Sequence, residues 1–434
     1  LIKLVYSEEI EIRHHEFLIQ NLVPKLTKAK SITFPWKKKS VNVLIEHLKY
    51  EGTNLEFKTA FKRQQLSFYS YIESNLERIS KGKPSELLKI QEEMSSLFPL
   101  IMNILSSREQ DATFSDHVYQ LFGYEAFKTD TLFNLLKTAA KRRSGRGSRT
   151  RFGLKNRHHF RELLCEAFPS RAQEICDALN DDKLPTSKMF EKAFYTIPDI
   201  HMTLSNVGKS RIFEYGWSDY ALIMVGGVIV CPYCNRQFVT PFLSSDGRIR
   251  ADFDHFLSKS AYPHFSMSLY NLVPSCKQCN QGLKGGKNLS PVGLHPFEHD
   301  MHSYFRFTAM PGTVTSTASI DIEVDDPAIS NIEELIDTFK LRPLYGYHNG
   351  HAHEIVKKRQ MYPDDLLHRL LPESPFSDVE ELKSFIVGYV VDESRINEEP
   401  LSKLRRDIAI QVGFLPKKIK LDASLMNKLK QVIK

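Results

Sequence analysis

The stretch Asn271-Leu272-Val273-Pro274-Ser275-Cys276-Lys277-Gln278-Cys279-Asn280, taken with Cys231-Pro232-Tyr233-Cys234-Asn235-Arg236 upstream, organises the chain. Thiolates at Cys-x2-Cys spacing grip one tetrahedral Zn²⁺ from a tight turn, and two such turns complete its coordination sphere. Cys231, Cys234, Cys276 and Cys279 are therefore candidate ligands of a structural zinc. Disulfides are the alternative use of four cysteines, but paired spacing without a secretory segment favours metal. The two pairs are separated by 41 residues, more than in a minimal zinc ribbon, so a folded segment belongs inside the loop. Cys165 and Cys176 stand apart from this pattern, in a helical-looking region.

Inside the loop, Arg248 to Phe253 alternates charged and apolar side chains and predicts a half-buried strand that delivers Asp254 and His255 at its end. Leu272-Val273-Pro274 predicts a second strand. Cys276 to Lys284 predicts a turn entering a short helix, which Gly282, Gly285 and Gly286 keep brief. These residues suit phosphodiester hydrolysis. Imidazole has the right intrinsic basicity for a general base near neutrality, which makes His255 the candidate base. A hard divalent ion, Mg²⁺ or Mn²⁺, takes oxygen ligands, and Asp254 and the Asn280 carboxamide supply two of them. Adjacent strand residues point to opposite faces, so one phosphate meets both Asp254 and His255 only if the strand breaks locally or the metal binds from the side.

Asp254-His255, then Asn271, then Asn280 directly after the second cysteine pair resembles the HNH motif of ββα-metal nucleases. The wording around it, Cys-Pro-Tyr-Cys-Asn-Arg, Asp-His-Phe-Leu-Ser-Lys-Ser and Asn-Leu-Val-Pro-Ser-Cys-x-x-Cys-Asn, resembles the PtuB-like HNH effectors of Septu-type and retron-linked antiphage systems. The resemblance covers residues 225–300, with an echo in Thr338-Phe339-Lys340-Leu341 and Pro400 to Leu404. It implies that Asn271 holds the imidazole by hydrogen bonding near its backbone, that Asn280 ligates the catalytic metal, and that Lys284 touches a phosphate oxygen. It also implies double-stranded DNA as substrate, antiphage defence as context, and a companion ATPase of the PtuA type. His264, His295 and His299 are expected to be structural.

The composition is compatible with this assignment. A net charge of +7 assists nucleic-acid binding without specifying it. The longest apolar run, Ala221 to Val230, is too short to span a bilayer and predicts a buried strand or strand-turn feeding Cys231. No signal peptide begins the chain, which with reduced thiolates predicts a cytoplasmic protein. That residue is Leu1 and not Met, which suggests trimming or a non-ATG start codon.

Residues 1–205 are expected to be mostly helical, with helices at 84–94, 130–140 and 187–195. A basic loop at 141–161 carries Arg142, Arg143, Arg146, Arg149 and Arg151; it is either a solvated connector or a phosphate-tracking arm. Phe152 and Phe160 are expected to anchor the next helix. Asn206-Val207-Gly208-Lys209-Ser210 lacks the leading glycine of a phosphate-binding loop, and Gly285-Gly286-Lys287-Asn288 lacks its spacing and hydroxyl. After the motif, 304–308 and 319–324 predict paired strands turning at Pro311-Gly312, followed by helices at 332–339, 379–391 and 400–412. The basic C-terminal cluster, Lys417 to Lys420 and Lys428 to Lys434, predicts a solvated helix face or a DNA surface.

The expected fold is thus α+β and mostly helical: a helical region at 1–205, a zinc-stapled ββα-metal nuclease domain at 206–300, and a strand pair with helices at 301–434. The expected function is metal-dependent endonuclease. The alternatives are a stand-alone HNH nickase or RNase toxin, and an inactive zinc module that bridges an ATPase to DNA.

Overall fold

The computed structural model describes residues 3–129, 131–145, 152–203, 211–244, 247–285, 294–310, 318–324, 330–388 and 392–415. Helices dominate, with small antiparallel sheets between them. The chain divides into two compact units, Ile2–Asp300 and Met301–Lys434, the latter with Leu1. The helical N-terminal residues and both cysteine pairs therefore belong to one unit.

The helices of the larger unit start where the sequence supplies caps. Ser7 caps Glu8–Ser31, whose first turn holds Glu8, Glu9 and Glu11 and whose last holds Lys28 and Lys30, complementing the helix dipole at both ends. Thr53 and Glu56 form a reciprocal capping box on Asn54–Ser74. Pro84 opens Pro84–Leu97, where its missing N–H costs nothing. Phe152 and Phe160 pack with Phe133, Phe190 and Phe194 in an aromatic core, so they anchor helices as expected.

Several of these helices grip the segment that follows His255. The imidazole of His14 contacts the Met267 carbonyl at 2.8 Å and accepts from the Trp217 indole at 3.3 Å. Gln91 meets His264 at 2.8 Å, and Tyr270 donates to Glu11. This is why His264 is fully buried and structural.

Two local expectations need correction. The apolar run after Ala221 is not strand: it lies mostly in the helix Asp219–Gly226, capped by Ser218 and closed by Gly227 at φ 64°. Beyond it, Val230 is bridged to Phe238. The predicted strand at 248–253 is also divided. Arg248–Ile249 completes an antiparallel sheet with Phe242–Ser244 and His201–Met202, whereas Asp252–His255 starts a separate hairpin with Leu272–Ser275. A change of sheet at Arg250-Ala251 interrupts an alternation that reads as continuous.

In the smaller unit, Phe305–Met310 pairs with Ser319–Val324 along its full length. The helix Ser402–Gln411 covers this hairpin: Asp407 accepts from the Phe307 amide at 2.9 Å, and Gln411 accepts from that of Ala309 at 2.7 Å. Lys403 is buried and paired with Asp407 at 2.8 Å. The turn expected at Pro311-Gly312 and the cluster from Lys417 onward lie outside the described residues. No helix among the described residues is long and apolar enough to cross a membrane.

Candidate active site

The four paired cysteines converge. Their sulfurs lie within 4.8 Å of one another and all four residues are buried. The first knuckle is a tight turn in which Asn235, at φ 49°, donates its amide to the Cys231 carbonyl at 2.9 Å. In the second, the Cys279 amide points at the Cys276 sulfur, 3.5 Å away. Contacts among the sulfurs, those with Cys231 first, hold the Cys276 thiol well below its usual range and push Cys234 and Cys279 well above theirs. Four crowded sulfurs that compete for protons in this way form the closed soft-donor set that Zn²⁺ fits.

The second pair continues into a short wide-turn helix, Gln278–Lys284, closed by a Gly285 amide to Asn280 carbonyl bond of 2.8 Å. This helix faces the Asp252–His255 strand. Gln281 donates to Asp252 at 2.7 Å, and Lys284 reaches Asp254 at 2.7 Å and the His255 carbonyl at 2.7 Å. The other oxygen of Asp254 accepts from the Tyr233 hydroxyl at 2.7 Å. Burial first, then the neighbouring carboxylate, push the Tyr233 phenol well above its ordinary value, so it stays protonated and donates.

The strand remains regular through His255, in register with Leu272. Asp254 and His255 consequently have separate partner sets, as the pleat dictates. Of the two arrangements expected from sequence, a local break or a metal bound from the side, the break is absent. The imidazole Nε2 of His255 pairs with the Ser266 carbonyl at 3.0 Å, and Tyr124 meets the ring edge-on at a centroid distance of 4.5 Å. A carbonyl partner assigns the proton to Nε2 and leaves Nδ1 as the acceptor, which makes no hydrogen bond among the described residues. Burial, and then the positive charges of Lys259, Lys284 and Lys128, lower the His255 pKa to about 3. The ring is therefore neutral at physiological pH.

Asn271 is fully buried, and its side-chain hydrogen bonds go to the backbone and not to the imidazole. Its Oδ1 accepts from the Leu257 amide at 2.7 Å, and its Nδ2 donates to the carbonyls of Leu257 and Phe265 at 3.0 Å each. It thus closes the loop whose next residue, Ser266, holds His255. The half-buried Asn280 makes no side-chain hydrogen bond among the described residues.

The Lys284 expectation needs correction. With 1% of its side chain exposed it is an internal counter-ion of Asp254, not a free phosphate-touching group. Both Asp254 oxygens are engaged, one by Lys284 and the other by Tyr233, while the Asn280 carboxamide is unengaged among the described residues.

The basic loop also differs from expectation. Arg142 and Arg143 end the helix Leu132–Arg143, and Leu154–Ala167 is helical too. Arg143 pairs with Glu162 and Glu166 at 3.2 and 3.5 Å, Arg157 with Asp181 at 3.1 Å, and Arg161 with Asp181 at 2.6 Å. These arginines serve the fold. Arg146, Arg149 and Arg151 lie outside the described residues, as do Asn206 to Ser210 and Gly286 to Asn288.

Four residues near the site escape a reading by motif: Tyr124, Lys128, Lys259 and Tyr233. Lys259 meets the Tyr119 hydroxyl at 3.2 Å and, like Lys128, lies over the Tyr124 ring. Tyr233 alone carried a signal, since a tyrosine between two buried ligands needs a buried partner for its hydroxyl. Cys165 and Cys176, unpaired by motif, meet at 3.8 Å between sulfurs.

No family model matches the chain. Over 45 residues it is 49% identical to protein ea31 of Escherichia phage lambda, a span of 10% of this chain and 15% of that protein. No solved structure matches.

Proposed function

We propose that this chain is a metal-dependent endonuclease of the HNH type that hydrolyses DNA phosphodiester bonds, with a structural zinc at Cys231, Cys234, Cys276 and Cys279. One observation carries the reading. A four-cysteine cluster joins a hairpin whose first strand ends in Asp254-His255 to a helix that bears Asn280 and packs back onto that strand. The order strand, strand, helix is what the motif resemblance calls for.

His255 is the general base. Its Nε2–H is held by the Ser266 carbonyl, Asn271 fixes that loop, and Nδ1 is left to take a proton from water. Lys128 and Lys259 lie over the Tyr124 ring that packs on the imidazole, and Glu125 pairs with both of them. Asp254 and Asn280 are the residues that would hold Mg²⁺ or Mn²⁺, which when bound neutralises charge on the scissile phosphate. The motif wording supports a role in antiphage defence beside an ATPase of the PtuA type, in the cytoplasm.

The saturation of Asp254 by Lys284 and Tyr233 favours a second reading, a silent zinc module that bridges an ATPase to DNA. Plasmid incubated with the purified chain and Mg²⁺ or Mn²⁺, with and without the ATPase, separates the two. Nicking or linearisation that His255→Ala abolishes supports the nuclease. DNA binding without cleavage under every condition supports the module.

A further inference from the structure

We infer that Cys165 and Cys176 are a redox-responsive dithiol, which a peroxide oxidises to a disulfide that clamps the helix Leu154–Ala167 to the helix Ala172–Ala178. Neither residue belongs to the proposed nuclease site. Their sulfurs meet at 3.8 Å. A bond of about 2 Å asks each sulfur to move by roughly 1 Å, a distance that side-chain rotation covers. The backbone between them is already fixed. The Phe168 amide donates to the Leu164 carbonyl at 3.0 Å, and the Arg171 amide donates to the Phe168 carbonyl at 3.0 Å. The Cys165 thiol itself points at the Ala172 carbonyl, 3.7 Å away, where the second helix begins.

Access separates this pair from the other four cysteines. Cys176 is exposed and Cys165 half-buried, whereas Cys231, Cys234, Cys276 and Cys279 are all buried. Both thiols of the pair line an open cavity of about 480 Å³, so a small oxidant reaches them without disturbing the fold. Burial first, and then the neighbouring Cys176, push the Cys165 thiol up to about 12, so it stays protonated and Cys176 reacts first. The Cys176 thiolate attacks one oxygen of hydrogen peroxide; the O–O bond breaks, leaving a sulfenic acid on Cys176 and releasing hydroxide. The neutral sulfenic acid no longer opposes deprotonation of Cys165. The Cys165 sulfur then displaces the Cys176 hydroxyl, which leaves with the Cys165 proton as water. Two thiols lose two electrons and two protons, and one peroxide becomes two waters.

The test treats the full chain with a few equivalents of hydrogen peroxide and maps its cysteines by alkylation and mass spectrometry, beside the melting temperature. Wild type should lose the Cys165 and Cys176 thiols together, gain one linked peptide pair, and leave the four buried cysteines unoxidised. A thiol reductant should restore both. The bridge should raise the melting temperature of the larger unit by about 3–5 °C, as closing a loop of this length predicts. Cys165→Ser should leave a sulfenic acid on Cys176 that dimedone traps, and Cys176→Ser should lose that trapped species. Oxidation of the buried cysteines while Cys165 and Cys176 remain thiols overturns the inference. Separate oxidation of the two sulfurs without a link, or a link between two chains, overturns it as well. A linked pair with an unchanged or lowered melt refutes the clamp.

Discussion

Replacing Lys284 with Met keeps most of the aliphatic stem and removes only the ammonium. The consequence follows from the burial of its partner. Lys284 and Asp254 have 1% and 3% of their side chains exposed and lie 2.7 Å apart. Without the lysine, the carboxylate retains the Tyr233 hydroxyl, and the carbonyls of His255 and Phe256 lose a donor. Breaking a buried pair from one side costs about 3–5 kcal/mol, because the remaining charge is uncompensated. For a body of this size that lowers the melting temperature by roughly 6–15 °C. Adding Asp254→Asn removes the stranded charge, so the double variant should recover more than half of the loss, a coupling of about 2–3 kcal/mol. Because the pair is buried, raising salt should leave the difference largely intact. Calorimetry or urea unfolding followed by tryptophan fluorescence reads the effect. If Lys284→Met lies within about 0.5 kcal/mol of wild type, as ordinary surface changes do, the internal ion pair is wrong and the lysine is free for phosphate.

Cys276→Ser should abolish binding of one Zn²⁺ and leave the larger unit largely unfolded, since zinc affinity at a closed thiolate site is folding energy. Elemental analysis with circular dichroism checks this, and well-folded protein without zinc contradicts it. Acid should destabilise the larger unit through its buried histidines. Burial lowers His14 to about 4 and His264 to about 3, so the unfolded chain binds more protons below its ordinary histidine pKa of about 6.5. Their stability contribution is complete above that pH and is lost as pH falls towards those values, about 2 kcal/mol per histidine between pH 7 and 5. A melting temperature that is flat across this range refutes the neutral burial of both rings.

The cysteine pairs were legible because ligand spacing is itself the chemistry, and the hairpin followed from what lies between them. Asn271 was read as a group that hydrogen-bonds near the His255 backbone, and its side chain bonds to the backbone of Leu257 and Phe265. The helix Asp219–Gly226 was not legible: an all-apolar run has no period, and Ser218 and Gly227 are its only boundary signals. The break between Ile249 and Asp252 was hidden because alternation continues across a change of sheet. Tyr124 and Lys128 were missed for a different reason. Which helix covers a site depends on long-range packing such as the His14, Gln91 and Glu11 contacts, and no local pattern encodes it. The basic stretch was left open between connector and DNA-tracking arm because charge density alone does not distinguish them; Arg143 and Arg161 are paired with Glu162, Glu166 and Asp181, and Arg146, Arg149 and Arg151 lie outside the described residues.

The most direct test of the central claim is cleavage of supercoiled plasmid by the full chain in Mg²⁺ or Mn²⁺, alone and with the proposed ATPase partner, comparing wild type with His255→Ala at matched zinc content and melting temperature. Wild type should nick or linearise the plasmid, and His255→Ala should be slower by about 10²–10⁴-fold, the usual cost of losing a general base. Equal cleavage by both proteins, or none by wild type with the ATPase present, would contradict the account.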